Sequence, residues 1–193
     1  MSLREKAGKA TLWSAIEIFT RQGVQFLVAI VLARILEVDD FGVVALLAVF
    51  SGIANTVFDS GLTSALIREE KASAVDESTV FWFNISVASL CGIALGLLGE
   101  PISRFYSAPE ISALAWVMAL NVLVSAFGAV PRALLAKVLN FKDQVKIGLI
   151  SVVGSGLVAL SAALYGAGPW ALVLQAVVGS AISSSLLWRV SRW

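Results

Sequence analysis

The sequence predicts an all-α integral membrane protein, a bundle of six transmembrane helices. The chain is 59% hydrophobic and only 14% charged, whereas soluble domains are about 45–50% apolar and about 25% charged. Its apolar residues form six long stretches, and the charges lie almost entirely in the gaps between them. Each stretch suits the roughly 20 residues that cross a ~30 Å hydrocarbon core and is too long for the ~10-residue strands of a membrane barrel.

The six spans make up a single transmembrane domain over residues 1–193. They are expected near Thr11–Ile35, Phe41–Ile67, Thr79–Leu98, Ser112–Leu135, Val145–Tyr165 and Pro169–Trp188. The first is expected to stay in place and not be cleaved as a signal peptide, because its long apolar run carries Glu17 and Arg21. In the fourth, Pro131 is expected to kink or end the helix.

The fifth and sixth spans carry small residues at a spacing of four, which is typical of close helix contacts in membranes. These stripes contain Ser151, Ser155, Ala159 and Ala163 in the fifth span, and Gln175, Gly179 and Ser183 in the sixth. We interpret them as structural.

Charge sets the expected orientation, because Lys and Arg favour cytoplasmic loops. If the spans alternate, eleven of the fourteen basic residues fall on one side, Arg34 and Arg104 fall on the other, and Arg21 lies within a span. Both termini are therefore expected in the cytoplasm. Five of the tryptophans also fall near predicted span ends, where indole rings prefer the headgroup region; they are Trp13, Trp82, Trp116, Trp170 and Trp188.

Composition disfavours several kinds of site. The chain has no histidine, so histidine metal sites and Ser-His-Asp triads are excluded. Its one cysteine, Cys91, lies within a span and is expected to fill space. A net charge of +1 gives little attraction to nucleic acid. We expect no metal, no cofactor and no enzymatic activity.

Polar residues within three spans fall on single helical faces, and ionisable groups there cost about 2.5–3.5 kcal/mol each unless they face protein or water. At 1.5 Å per residue, Arg21 and Asp59 lie about 15 Å and about 12 Å from the cytoplasmic ends of their spans, so they can meet. The pattern predicts a water-filled cavity lined by spans one, two and four. Its candidate substrate-binding residues are Glu17, Arg21, Gln25, Asn55, Asp59 and Arg132. The alternative is buried polar residues that hold the helices together.

Several strings, in order along the chain, resemble bacterial polysaccharide flippases. They are Leu32–Leu36, Asp40–Leu46, Asp59–Arg68, Ser78–Asn84, Phe105–Tyr106, Val130–Leu135 and Gly168–Gln175. The chain is most similar to the Wzx-type, colanic-acid-exporter-like branch of the multidrug/oligosaccharidyl-lipid/polysaccharide exporter superfamily.

This resemblance implies the first lobe of a two-lobe exporter fold in the bacterial inner membrane. Such proteins move undecaprenyl-pyrophosphate-linked oligosaccharides between leaflets for lipopolysaccharide or exopolysaccharide synthesis. The chain ends at Trp193, shortly after the sixth span. We therefore expect a fragment whose second lobe comes from the same gene, a second copy or a separate chain. Membrane lipid and a glycan polymerase are further expected partners.

Two other functions fit the same sequence. An ion-coupled multidrug exporter of that superfamily would use Glu17 and Asp59 to bind H⁺ or Na⁺. A non-transporting membrane partner of glycan-assembly enzymes would instead use its loops to dock those enzymes, but the loops here are short. The polysaccharide-type strings favour the flippase.

Overall fold

The computed structural model describes residues 19, 21–58, 62–69, 73–138 and 141–191. Every regular element in these ranges is a helix. In chain order they are α1 (21–35), α2 (Val38–Phe58), α3 (Leu62–Arg68), α4 (Ala74–Tyr106), α5 (Glu110–Phe127), α6 (Ala129–Lys137), α7 (Phe141–Leu164) and α8 (Trp170–Val190).

Within the described ranges, four helical stretches are long and apolar enough to cross a membrane. They are Ala74–Tyr106, Glu110–Lys137, Lys142–Leu164 and Trp170–Val190. These four confirm a helical membrane protein. The count of six stays a prediction, because the first predicted span extends beyond the described residues and the second is divided between α2 and α3.

Helix bounds differ from the predicted spans at two further places. α4 has 33 residues, about 50 Å at 1.5 Å per residue, so it extends beyond a ~30 Å hydrocarbon core. The fourth predicted span is divided at Gly128 into α5 and α6. Pro131 lies in the first turn of α6, where a missing N–H is tolerated. The helix is interrupted as expected, and the break precedes the proline by three residues.

α4 and α5 form a tight antiparallel pair because glycines on α4 let the helices approach closely. A Cβ added at Gly96 would lie 2.6 Å from the Trp116 ring, and one at Gly99 would lie 2.7 Å from Cβ of Ala115. At Gly92 the nearest atom would be the main-chain oxygen of Ala119, at 3.3 Å. Such small-residue contacts drive helix association where lipid supplies no hydrophobic force.

α7 and α8 form the second tight pair, and the small-residue stripes predicted for spans five and six are confirmed as contacts. A Cβ added at Gly179 would lie 3.3 Å from the Ser155 hydroxyl. Ala159 is fully buried and packs with Leu32 of α1 and Ala171 of α8. The pair is thus joined to α1 on the face that contains Ala159.

The two ends of the bundle differ; we call the end above a buried apolar cluster the closed end and the other the open end. At the closed end the short connections between α1 and α2, α4 and α5, and α7 and α8 meet around a cavity of about 520 Å³. Beneath them Leu47, Leu114 and Val173 are buried in one apolar cluster. At the opposite end a cleft lies between two groups of helices. α3 and α6 form one side, and the first turns of α7 and the last turns of α8 form the other.

Candidate functional site

A cleft of about 690 Å³ occupies the open end of the bundle. Helices α1, α3, α5, α6, α7 and α8 all contribute to its wall, which alternates small apolar and polar side chains. Its polar and charged lining comprises Arg21, Thr63, Ser64, Ser125, Arg132, Gln144, Ser151, Ser180, Ser183 and Ser184.

The structure places two of the predicted site residues, Arg21 and Arg132, on this cleft. Both side chains are exposed. Gln25 is exposed on α1, one turn further along, and does not line the cleft. Asn55 lies near the end of α2.

Glu17 and Asp59 lie outside the described residues. The predicted contact of Arg21 with Asp59 therefore stays a prediction.

Spans five and six contribute more to the cleft than the sequence indicated. Gln144 and Ser151 reach it from α7, and Gly179, Ser180 and Ser183 reach it from α8. The sequence pattern indicated only a packing role for Ser151, Gly179 and Ser183. These three residues belong to the packing stripe and also line the cleft, because the stripe between α7 and α8 continues past the helix contact into the open end. Gln144 was not singled out at all.

The break between α5 and α6 leaves two main-chain oxygens without a helical donor, and side chains of α8 donate hydrogen bonds to them. The N–H of Gly128 bonds to Ser125 at 3.1 Å, so the oxygen of Val124 loses its helical donor and accepts the Ser184 hydroxyl at 2.8 Å. Pro131 has no N–H to offer Phe127 four residues earlier. The indole N–H of Trp188 donates to that Phe127 oxygen at 2.9 Å. Both freed acceptors are therefore satisfied from α8.

The break between α5 and α6 positions Arg132. The residue lies in the second turn of α6, and its N–H bonds to Gly128 at 3.1 Å. Its guanidinium donates to the Ser183 hydroxyl of α8 at 3.3 Å. A Cβ at Gly128 would lie 2.7 Å from the Ser184 hydroxyl, so only glycine lets α8 come this close. α8 thus holds both the backbone that carries Arg132 and its side chain.

A short hydrogen-bonded chain continues the polar wall deeper into the bundle. Ser180 donates to the Asn121 side-chain oxygen at 2.7 Å. The hydroxyls of Ser125 and Ser180 lie 3.1 Å apart. Because the Ser180 proton is already donated to Asn121, the Ser125 hydroxyl is the donor in this pair. Interhelical hydrogen bonds of this kind are worth about 0.6 kcal/mol on average within a membrane. They fix α5 against α8 beneath the cleft.

The arrangement suits the binding of an anion. Two guanidinium groups offer charge-assisted hydrogen bonds to an anion, and the hydroxyl groups can bond to sugar hydroxyls. Among the described residues no group of three or more His, Cys, Asp or Glu side chains is placed to hold a metal ion. The cleft can therefore take a ligand that combines negative charge with many hydroxyl groups.

Sequence comparison gives the family. A family described as polysaccharide biosynthesis protein matches residues 31–193. The succinoglycan biosynthesis transport protein ExoT of Rhizobium meliloti is 30% identical over 181 residues, which are 94% of this chain and 37% of that protein. The lipopolysaccharide biosynthesis protein WzxC of Escherichia coli is 29% identical over 186 residues, 96% of this chain and 37% of that protein.

A third relative, the teichuronic acid biosynthesis protein TuaB of Bacillus subtilis, is 29% identical over 140 residues, 72% of this chain and 29% of that protein. No solved structure matches the chain. The chain spans about 37% of the length of the first two relatives. The resemblance to polysaccharide transporters is thus confirmed at the level of the family. With the family match covering most of its length, the chain belongs to the polysaccharide biosynthesis protein family.

Proposed function

We propose that this chain is the first lobe of a membrane transporter that flips lipid-linked oligosaccharides from the cytoplasmic to the periplasmic leaflet. The observation that carries the proposal is the cleft at the open end, in which Arg21 and Arg132 share a wall with serine hydroxyls. The arginines would bind the pyrophosphate of an undecaprenyl-pyrophosphate-linked oligosaccharide by charge-assisted hydrogen bonds. The serines would solvate its sugars, and the lipid tail would stay in the bilayer.

Orientation follows from the charge pattern. We propose six spans in the bacterial inner membrane with both termini in the cytoplasm, because basic residues favour that side. The open end then faces the cytoplasm, where lipid-linked sugars are assembled. α1 and α2 would be the two spans beyond the four that the described ranges contain.

A second lobe would complete the cleft, from the same gene, a second copy or a separate chain. Several side chains of α1 and α2 are exposed and apolar, including Phe26, Leu27, Val49 and Ile53. Such a surface suits lipid or another membrane helix, and it agrees with the chain's matching only a part of its relatives' length. Glu17, Gln25, Asn55 and Asp59 stay proposed cavity residues on this side. A glycan polymerase is a further proposed partner.

The test is the export of glycan by the intact transporter that carries Arg21→Ala. We expect export to be lost while folded protein remains in the membrane, because a wet cavity tolerates the missing charge. A structural role predicts the opposite, since an uncompensated partner in a dry site costs about 3–5 kcal/mol. In that case the protein would disappear from the membrane, and adding Asp59→Asn would restore it. Normal export by a stably inserted Arg21→Ala protein would remove Arg21 from the mechanism.

A further inference from the structure

We propose that Ser125 is the hydrogen-bond acceptor that recognises a donor on the transported sugar, so that the deep part of the cleft selects sugars with an unblocked hydroxyl or N–H group. The inference rests on the proposed function and extends it from the anionic part of the ligand to the sugar. It states which side of the contact donates.

The charged groups and the hydroxyl groups of the cleft wall lie at different depths. Helices α5 and α8 begin at the closed end, so Ser125 lies nearer that end than Arg132, and Ser180 lies nearer it than Ser183. Arg21 lies in the first turn of α1, which ends at the closed end. The two charged residues among the described lining are therefore towards the open end, and Ser125 and Ser180 lie deeper.

The protons of these two deep hydroxyls are donated within the protein. Ser180 donates to the Asn121 side-chain oxygen at 2.7 Å, and Ser125 donates to Ser180 at 3.1 Å. Because Asn121 is buried, turning the Ser180 proton towards a ligand would leave a buried acceptor unpaired, which is unfavourable. Hydrogen bonds in such a chain also polarise one another. The buried end of the chain therefore sets its direction, from Ser125 through Ser180 to Asn121.

Ser125 is the first member of this chain and the one whose acceptor capacity is unused. A hydroxyl oxygen has two acceptor lone pairs, and none of the described residues donates to that of Ser125. Ser125 lines the cleft and is partly exposed, and beyond its main chain a serine has only Cβ and the hydroxyl. A ligand at this depth therefore meets an oxygen that can accept and whose proton is already donated.

The chemistry of the sugar decides whether that acceptor is satisfied. A sugar hydroxyl, or the N–H of an N-acylated sugar, can donate to Ser125. An ether, ester or carboxylate at the same place has oxygen lone pairs and no proton, so it lies against Ser125 without a hydrogen bond. The deep part of the cleft thus distinguishes sugars by the donors they present, while the arginines bind the pyrophosphate that all such lipids share.

The experiment measures binding to the intact protein in phosphatidylcholine nanodiscs by calorimetry, with glucose joined to farnesyl pyrophosphate as the probe. Further probes each replace one glucose hydroxyl by fluorine, which is close to a hydroxyl in size and has no proton to donate. At least one should bind the wild type about two- to tenfold more weakly, the effect of losing one hydrogen bond between neutral groups. Ser125→Ala should bind that probe and the glucose probe equally. Ser89→Ala, at a half-buried serine of α4 outside the cleft, should retain the difference.

The outcomes separate this inference from the proposed function. Farnesyl pyrophosphate without a sugar should bind Ser125→Ala as tightly as the wild type, and weaker binding would overturn the inference by assigning Ser125 to the anion. If the wild type binds the glucose probe and every fluorinated probe alike, the inference is overturned and the proposed function stands. If the wild type binds neither farnesyl pyrophosphate nor the glucose probe, the proposed function fails as well. The fluorinated probes are compared on the wild type, so this test holds even if Ser125→Ala does not insert.

Discussion

Trp188 of α8 donates its indole N–H to the main-chain oxygen of Phe127 at 2.9 Å, the acceptor that Pro131 leaves without a helical donor. The Trp188 ring also packs edge-to-face on Phe81 of α4, with centroids 5.8 Å apart. One side chain therefore joins three helices at the open end of the bundle. Arg132 lies just after the break that this hydrogen bond stabilises. The last turn of α8 therefore helps to place a charge of the proposed site.

The first prediction tests whether the indole N–H of Trp188 replaces the main-chain N–H that Pro131 lacks. Trp188→Phe keeps the ring and removes the N–H, and we expect it to lower the free energy of unfolding by about 0.5–1.5 kcal/mol. Pro131→Ala restores a main-chain N–H four residues after Phe127. In the Pro131→Ala background the loss caused by Trp188→Phe should therefore be smaller. Thermal unfolding of the four proteins in detergent completes the double-mutant cycle.

Trp82→Phe is the matched control, because that indole is 66% exposed and lies on the outer face of α4. It should leave the unfolding temperature unchanged. Additive losses in the Trp188 and Pro131 cycle would show that the indole does not substitute for the missing helical donor.

The second prediction concerns the glycines of α4. Gly96→Leu should lower the stability of the α4–α5 pair by about 1–3 kcal/mol or more, because the new side chain enters the space of Trp116. Ala94→Leu enlarges an exposed neighbour and should be tolerated. Folded yield after membrane extraction measures both. Equal yields would mean that the two helices do not meet through this face.

The third prediction concerns topology. In a Cys91→Ser background, Asp39→Cys should react with a membrane-impermeant maleimide added from the periplasm, and Ala74→Cys should react only after the membrane is opened. Both positions are exposed, at the starts of α2 and α4. Labelling of both from the same side would contradict the alternating arrangement on which a cytoplasmic cleft depends.

The sequence predicted what depends on composition and periodicity. Four apolar helices lie where spans three to six were expected, and the small residues around Ser155 and Ala159 do lie between helices. The glycine stripe of α4 was missed although its spacing is visible at Gly92, Gly96 and Gly99. The glycine stripe matters because it packs against Trp116 of α5, and only the fold shows that these residues are neighbours.

The cleft was less predictable, because it depends on how helix ends come together. The polar faces of spans one and four put Arg21 and Arg132 in one predicted cavity, and both residues line the cleft. Gln144 gave no signal, since it lies in a charged segment before the apolar run of α7. It lines the cleft because the start of α7 lies beside α6 and α8, which no pattern along the chain reveals. Pro131 predicted a break in span four, but its position at Gly128 goes with the contact between Gly128 and Ser184 of α8.

The central claim is that the two arginines of the cleft hold the anionic part of a lipid-linked oligosaccharide during its translocation. The most direct test is the sidedness of that lipid in membranes whose intact transporter carries Arg21→Ala with Arg132→Ala. Arg104→Ala is the control, because that arginine lies near the closed end and pairs with Glu100 at 3.1 Å. We predict that the double variant inserts normally and leaves the lipid-linked oligosaccharide in the cytoplasmic leaflet, while Arg104→Ala exports it. Export at the wild-type rate by a stably inserted double variant would contradict the account.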